Sequence, residues 1–203
     1  MAICGKLYSG QDNACVTLQK GYIQEVKLIN FQDVDTFDVT SEHDETESKH
    51  RVSFALKAGA EAIPFAGIGS GNSIRGWYSK TRDDNGYPMY VHHLQIIITR
   101  VTEEQKAILK NLDNGLYIGV AKLRSYESPE SGGITEAIEV YGFGNGLSTD
   151  DYDYDITENG GVTVIDMISQ ESFEEPQIPY MYASATEGSE LEDWDENFAG
   201  PST

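Results

Sequence analysis

One segment of the 203-residue chain carries both a start and a stop signal for a helix: TEEQKAILKNLDNG, residues 102–115. Thr102 and Gln105 have the spacing of a capping box, in which each side chain reaches the other residue's backbone N–H. Glu103 and Glu104 sit at the positive end of the helix dipole, and Lys106 and Lys110 follow, as electrostatics favours. Ala107, Ile108 and Leu112 supply the apolar stripe, and Asn114-Gly115 ends it. A helix over about 103–113 is expected. Most of the rest of the chain reads as strands.

The strand pattern is direct in several places. Cys15–Leu18, Tyr22–Ile29, Arg51–Leu56, Tyr90–Val101, Leu116–Leu123 and Ile134–Tyr141 alternate or run apolar between polar and glycine-rich breaks. Val52, Phe54 and Leu56 share one face, and either His92 or His93 must point inward. Residues 31–50 begin as a strand and dissolve into an acidic loop. Residues 64–88 read as a long glycine-rich excursion bearing Arg75, Trp77, Tyr78, Lys80 and Arg82. Within it, Asp84-Asn85-Gly86 signals a type I′ hairpin turn. Residues 124–133 read as a loop, and 142–146, GFGNG, as a turn. The fold class is mainly β, an antiparallel sandwich or barrel-like domain over 1–182 with one flanking helix. An acidic arm without a core of its own follows over 183–203.

Charge narrows the function. Residues 1–124 hold all 14 Lys and Arg against 15 Asp and Glu, whereas residues 125–203 hold 19 acids and no Lys, Arg or His. Phosphate-contacting nucleic-acid binding needs cations, so this distribution argues against it. It suits a solvated face or one that repels polyanions.

The acids concentrate in STDDYDYDITENGGVTV, residues 148–164. Asp151, Asp153 and Asp155 have the spacing of the first three ligands of a calcium loop. The position that demands glycine is Ile156, however, and the one that demands glutamate is Val162. A hairpin turning at Asn159-Gly160 fits better. It places Asp151, Asp153, Asp155 and Asp166 on one face, with Asp153 opposite Asp166, and Tyr152, Tyr154, Ile156, Thr163, Ile165 and Met167 on the other. Alternate residues on a strand stand roughly 7 Å apart, too far for all four carboxylates to share one ion.

Other motifs carry less. GIGSG (67–71) and GFGNG lack the sixth-position glycine and the strand-to-helix setting of a dinucleotide fingerprint. His43, Asp44, Glu45 and His50 lie in polar surroundings without metal-ligand spacing, and His92 and His93 point to opposite faces of one strand. No nucleophile, zinc or catalytic-histidine signature is present. No catalytic residue, cofactor or metal is assigned, and the chain is read as a non-enzyme. Cys4 and Cys15 read as free thiols, with a disulfide open if their Cα atoms approach within about 7 Å. The first residues lack the apolar run of a signal peptide, so synthesis and folding in the cytoplasm are expected.

The order of features resembles tail tube proteins of long-tailed bacteriophages. The resemblance rests on VKLINFQDV (26–34), the His-bearing strand before the helix, and the helix ending at LDNG. EVYGFGNGL (139–147), the NGG turn before VTVIDMIS, and Pro179-Tyr180 complete it. It implies a sandwich that closes six-fold into rings, which stack as a tube in the virion tail, assembled in the host cytoplasm. The implied partners are further copies of the chain and other tail proteins (tape measure, terminator, baseplate or tip). DNA passes through a negative lumen without sticking, and no membrane is involved. On this reading Asp151, Asp153, Asp155 and Asp166 are the DNA-repelling face. Arg75, Trp77, Tyr78, Lys80 and Arg82 are the contact to the next ring. Another tail or neck protein shares these features. A sandwich binding module for carbohydrate or a cell-surface ligand, using some of the 12 Tyr and two Trp as stacking platforms, is the alternative of a different class.

Overall fold

A computed structural model describes residues 23–43, 48–66, 74–98, 102–127, 134–152, 162–184 and 189–199. The chain runs β1 (Ile23–Asn30), a 3-10 turn (Phe31–Asp33), β2 (Val34–His43), β3 (Ser48–Leu56), β4 (Ile63–Ala66), β5 (Arg75–Arg82) and β6 (Pro88–Ile98). It continues through α1 (Glu103–Leu112), β7 (Tyr117–Glu127), β8 (Ile134–Tyr141), β9 (Leu147–Thr149), β10 (Thr163–Ser169), β11 (Tyr180–Tyr182) and α2 (Glu190–Glu196). The mainly β class is as expected. Among the described residues all strand pairings are antiparallel except β11 with β3, which is parallel, so the sheet is mixed.

The centre is β1 paired with β7, and both strands are buried on both faces. Val26 and Leu28 enter one apolar cluster with Tyr117 and Ala121, and Ile29 enters another with Ile118 and Val120. Period-two alternation sends neighbouring residues to opposite faces, so one strand pair feeds two cores.

The sheet forks at GFGNG. β8 and β9 lie in succession along the same edge of β7, with Tyr141 opposite Gly119 and Leu147 opposite Tyr117. From β8 grows one wing, β11-β3-β2; from β9 grows the other, β10-β6-β5. Leu94, Ile96, Ile98, Ile165 and Met167 of the second wing join the Val26 cluster. Val52, Phe54, Tyr180 and Tyr182 of the first join the Ile29 cluster. Each wing therefore covers a different face of the central strands. α1 closes the first cluster with Leu112, and Ile108 and Leu109 pack against it; Ala107 is exposed, contrary to the expected stripe.

Several expectations need correction. Residues 31–50 begin as a strand, as expected, but the strand does not dissolve: β2 pairs with β3 as far as His43 opposite Ser48, with a bulge between Val34 and Thr36. The 64–88 segment is not a loop excursion: β5 pairs with β6 over eight residues, from Arg75–Gln95 to Arg82–Pro88, and Phe65 and Ile74 are buried. Its turn is a three-residue loop, with the Gly86 N–H donating to Asp83 O at 2.9 Å and Gly86 at φ 83°. A positive φ at Gly86 alone marks a tight turn closed by a glycine bulge, not type I′. Asp83 Oδ1 holds it by accepting from the N–H groups of Asn85 and Tyr87. Residues 124–127 belong to β7.

The coreless arm is also corrected. Residues 189–199 carry a second helix, α2, and Trp194 and Phe198 are fully buried in the Ile29 cluster. Phe198 lies 5.3 Å from Phe54 and 5.0 Å from Tyr182, ring centre to ring centre. Cys4, Cys15, the expected strand at Cys15–Leu18, GIGSG, Asp44, Glu45, Asp153, Asp155 and the Asn159-Gly160 turn lie outside the described residues.

Candidate functional site

The fork is held by buried polar groups. Gly142 stands at φ 69°, and a Cβ there would meet Leu147 Cγ at 2.5 Å, so only glycine lets the chain leave β8 and re-enter as β9. The backbone N–H groups of Gly144 and Asn145 donate to the Glu175 carboxylate at 2.7 and 2.9 Å. Burial pushes the Glu175 carboxyl up, and these backbone donors pull it back. Tyr90 and Glu175 exchange backbone hydrogen bonds at 2.8 Å, which ties the 170–179 loop to β6.

His92 completes this junction. The Gln177 carbonyl, 2.9 Å from Nε2, can only accept, so Nε2 carries the hydrogen. The Gly142 N–H donates to Nδ1 at 3.1 Å, so Nδ1 is bare. The imidazole is thus neutral with both nitrogens used, and burial lowers its pKa to about 4. Such a histidine fastens three segments together and has no nitrogen left for proton transfer.

Two further buried groups were missed by sequence reasoning. Lys27, on β1, donates from Nζ to the carbonyls of Trp194 and Phe198 at 2.6 and 2.9 Å and lies 4.5 Å from the Trp194 ring centre. Its ammonium caps the C-terminal end of α2, where the helix dipole is negative, while desolvation lowers its pKa. The Tyr141 hydroxyl donates to Glu139 Oε2 at 2.6 Å. Burial raises both groups, the phenol well beyond its ordinary range. Lys27 is an alternating residue of a strand with apolar neighbours, and nothing local marks it as inward-facing.

The expected contact residues come together. Arg75, Trp77, Tyr78, Lys80 and Arg82 all lie on β5, which among the described residues pairs only with β6 and ends the sheet. One face of β5 carries Arg75 and Trp77, with Trp77 stacked on His93 at 4.6 Å and the Arg75 guanidinium 5.3 Å from the Trp77 ring. The other carries Tyr78, Lys80 and Arg82, with Tyr78 46% exposed. At the opposite end of the sheet, β2 pairs only with β3 among the described residues. β2 bears Asp35, Asp38 and Glu42 and no Lys or Arg. Phe37 and Val39 sit opposite Phe54 and Val52 but are 65% and 38% exposed, so the apolar side of this edge extends beyond the core.

The acidic set is only partly assembled. Asp166 is half-buried on β10 and accepts from Gln95 Nε2 at 3.1 Å. The residue beside it is Asp150, whose N–H donates to Asp166 O at 2.8 Å, and not Asp153. Full burial of Leu147 at the fork and its pairing with Ser169 set this register, shifting the β9 side by three residues from the expected hairpin. Asp151 is exposed beyond the end of β9, and Tyr152 packs on the Val26 cluster with its hydroxyl donating to Asp113 Oδ1 at 3.1 Å. His50 is a strand residue stacked on Tyr180 at 4.3 Å, its Nε2 bonded to Ile178 O at 3.0 Å. Among the described residues, no three His, Cys, Asp or Glu side chains form a group able to hold a metal. Comparison with protein-family models, curated proteins and solved structures finds no match to this chain.

Proposed function

We propose that this chain is a structural subunit that assembles with copies of itself into rings and stacked tubes, as a tail tube protein of a long-tailed phage does. The observation that carries the reading is a sheet whose longest edges among the described residues are β2 and β5, each eight or more residues long. An exposed strand edge is a row of unpaired N–H and C=O groups, which a monomer ordinarily shortens, twists or covers. Two different edges on one protomer generate head-to-tail contacts, and head-to-tail contacts give rings when the rotation closes.

Residues from 125 onward carry no Lys or Arg, so whatever part of the assembly's surface they form offers DNA no cation. Removing phosphate–cation contacts removes most non-specific affinity, so a polymer could slide past without arrest. Sedimentation velocity over a concentration series tests the reading. It predicts species at integer multiples of the protomer mass, growing with concentration; a single protomer-sized species throughout would reject it.

A further inference from the structure

We propose that the joint between copies is the β2 edge of one protomer against the β5 edge of the next. This rests on the self-assembly reading and names the surfaces that perform it. β2 carries three acids and no Lys or Arg, and β5 carries Arg75, Lys80 and Arg82 and no acid. Two β2 edges, or two β5 edges, would bring like charges together, which disfavours both symmetric pairings. β2 against β5 is the pairing that electrostatics favours.

The side chains match as well as the charges. On β2, Phe37 and Val39 project to one face and Asp38 to the other. On β5, each face holds one aromatic and at least one cation: Trp77 with Arg75, and Tyr78 with Lys80 and Arg82. Whichever way the two strands run, Phe37 meets an aromatic face and Asp38 meets a cation. The joint covers Phe37 and Val39, the exposed apolar residues of β2, and Tyr78, 46% exposed on β5. Cross-strand aromatic and opposite-charge pairs are the contacts that stabilise sheets. Because the two edges differ, the contact is directional and each protomer offers one of each kind.

A charge-exchange experiment tests the joint. One variant reverses β2 (Asp35→Lys with Asp38→Lys); a second reverses β5 (Arg75→Glu, Lys80→Glu and Arg82→Glu). All five side chains are exposed, and circular dichroism first confirms that each variant is folded. Each alone is expected to associate about tenfold or more weakly than the wild type by sedimentation velocity. An equimolar mixture is expected to recover association, since the reversed β2 of one variant meets the reversed β5 of the other. Wild-type assembly with unchanged single variants, or with no recovery on mixing, would overturn the β2–β5 joint while leaving self-assembly standing. A wild type that never associates would overturn the self-assembly reading itself. Hydrogen exchange on the dilute protomer adds a second check: outward amides of β2 and β5 should exchange rapidly, and protection of either edge in the protomer would also overturn the joint.

Discussion

Replacing His92 with Asn should make the stability difference from wild type depend on pH in one direction and by a calculable amount. His92 is 1% exposed, and burial lowers its pKa from 6.5 to about 4; nearby His93 and His50 push the same way, while its bond to the Gln177 carbonyl opposes them. With the folded value below the unfolded one, the unfolded chain takes up the proton first as pH falls. The stability held by neutral His92 is therefore fully present above about pH 6.5 and is lost progressively towards pH 4. At pH 5 the unfolded imidazole is mostly charged and the folded one mostly neutral, which corresponds to about 2 kcal/mol lost relative to pH 7.5. Asn cannot titrate, so the variant lacks this loss. Other carboxyl and histidine titrations occur in both proteins and largely cancel in the difference. Urea unfolding followed by circular dichroism at about pH 7.5 and 5 measures it, with the lower value kept above the sequence pI of 4.3. The wild type's advantage should shrink by about 2 kcal/mol at the lower pH. A pH-independent difference, or one that grows on acidification, would refute the neutral buried imidazole.

Other perturbations address the remaining parts. Trp194→Ala should cost about 3–5 kcal/mol in urea unfolding, because the indole is buried among Lys27, Phe198 and the Ile29 cluster; a change under about 0.5 kcal/mol would mean that 189–199 is an arm after all. Gly142→Ala should destabilise by about 2 kcal/mol or more, from the positive φ and the approach to Leu147 together, and unchanged unfolding would remove the glycine requirement at the fork. Assemblies of an Asp151→Lys, Asp153→Lys, Asp155→Lys variant should retain duplex DNA at low salt and release it at high salt, whereas wild-type assemblies retain none. Equal retention by the two would reject the DNA-repelling role of these aspartates.

Much of the fold was legible wherever one physical rule acted alone. Val52 and Phe54 alternate inward on β3, as period two requires, and Thr102 immediately precedes α1. What sequence missed lies where two influences competed. The later part of β2 reads as a loop because it is polar and acidic, yet pairing with β3 over its length holds it extended. β5 reads as an excursion because of its glycine and basic residues, although the missing Cβ of Gly76 makes room for the Tyr141 ring. α2 is seven residues, too short to be stable alone, and tertiary burial of Trp194 and Phe198 with a cap from Lys27, 167 positions away, makes it a helix. Asp166 lies beside Asp150 and not Asp153 because burial of Leu147 outweighs the local turn signal. Arg75, Trp77, Tyr78, Lys80 and Arg82 all fall on one strand, but the chain alone does not reveal that this strand is a sheet edge with β2 at the other end.

Electron microscopy of the concentrated purified protein bears most directly on self-assembly. Rings with an open centre, and tubes of stacked rings roughly 100 Å wide, are expected for six domains of this size. Fields containing only solid, protomer-sized particles at every concentration would contradict it.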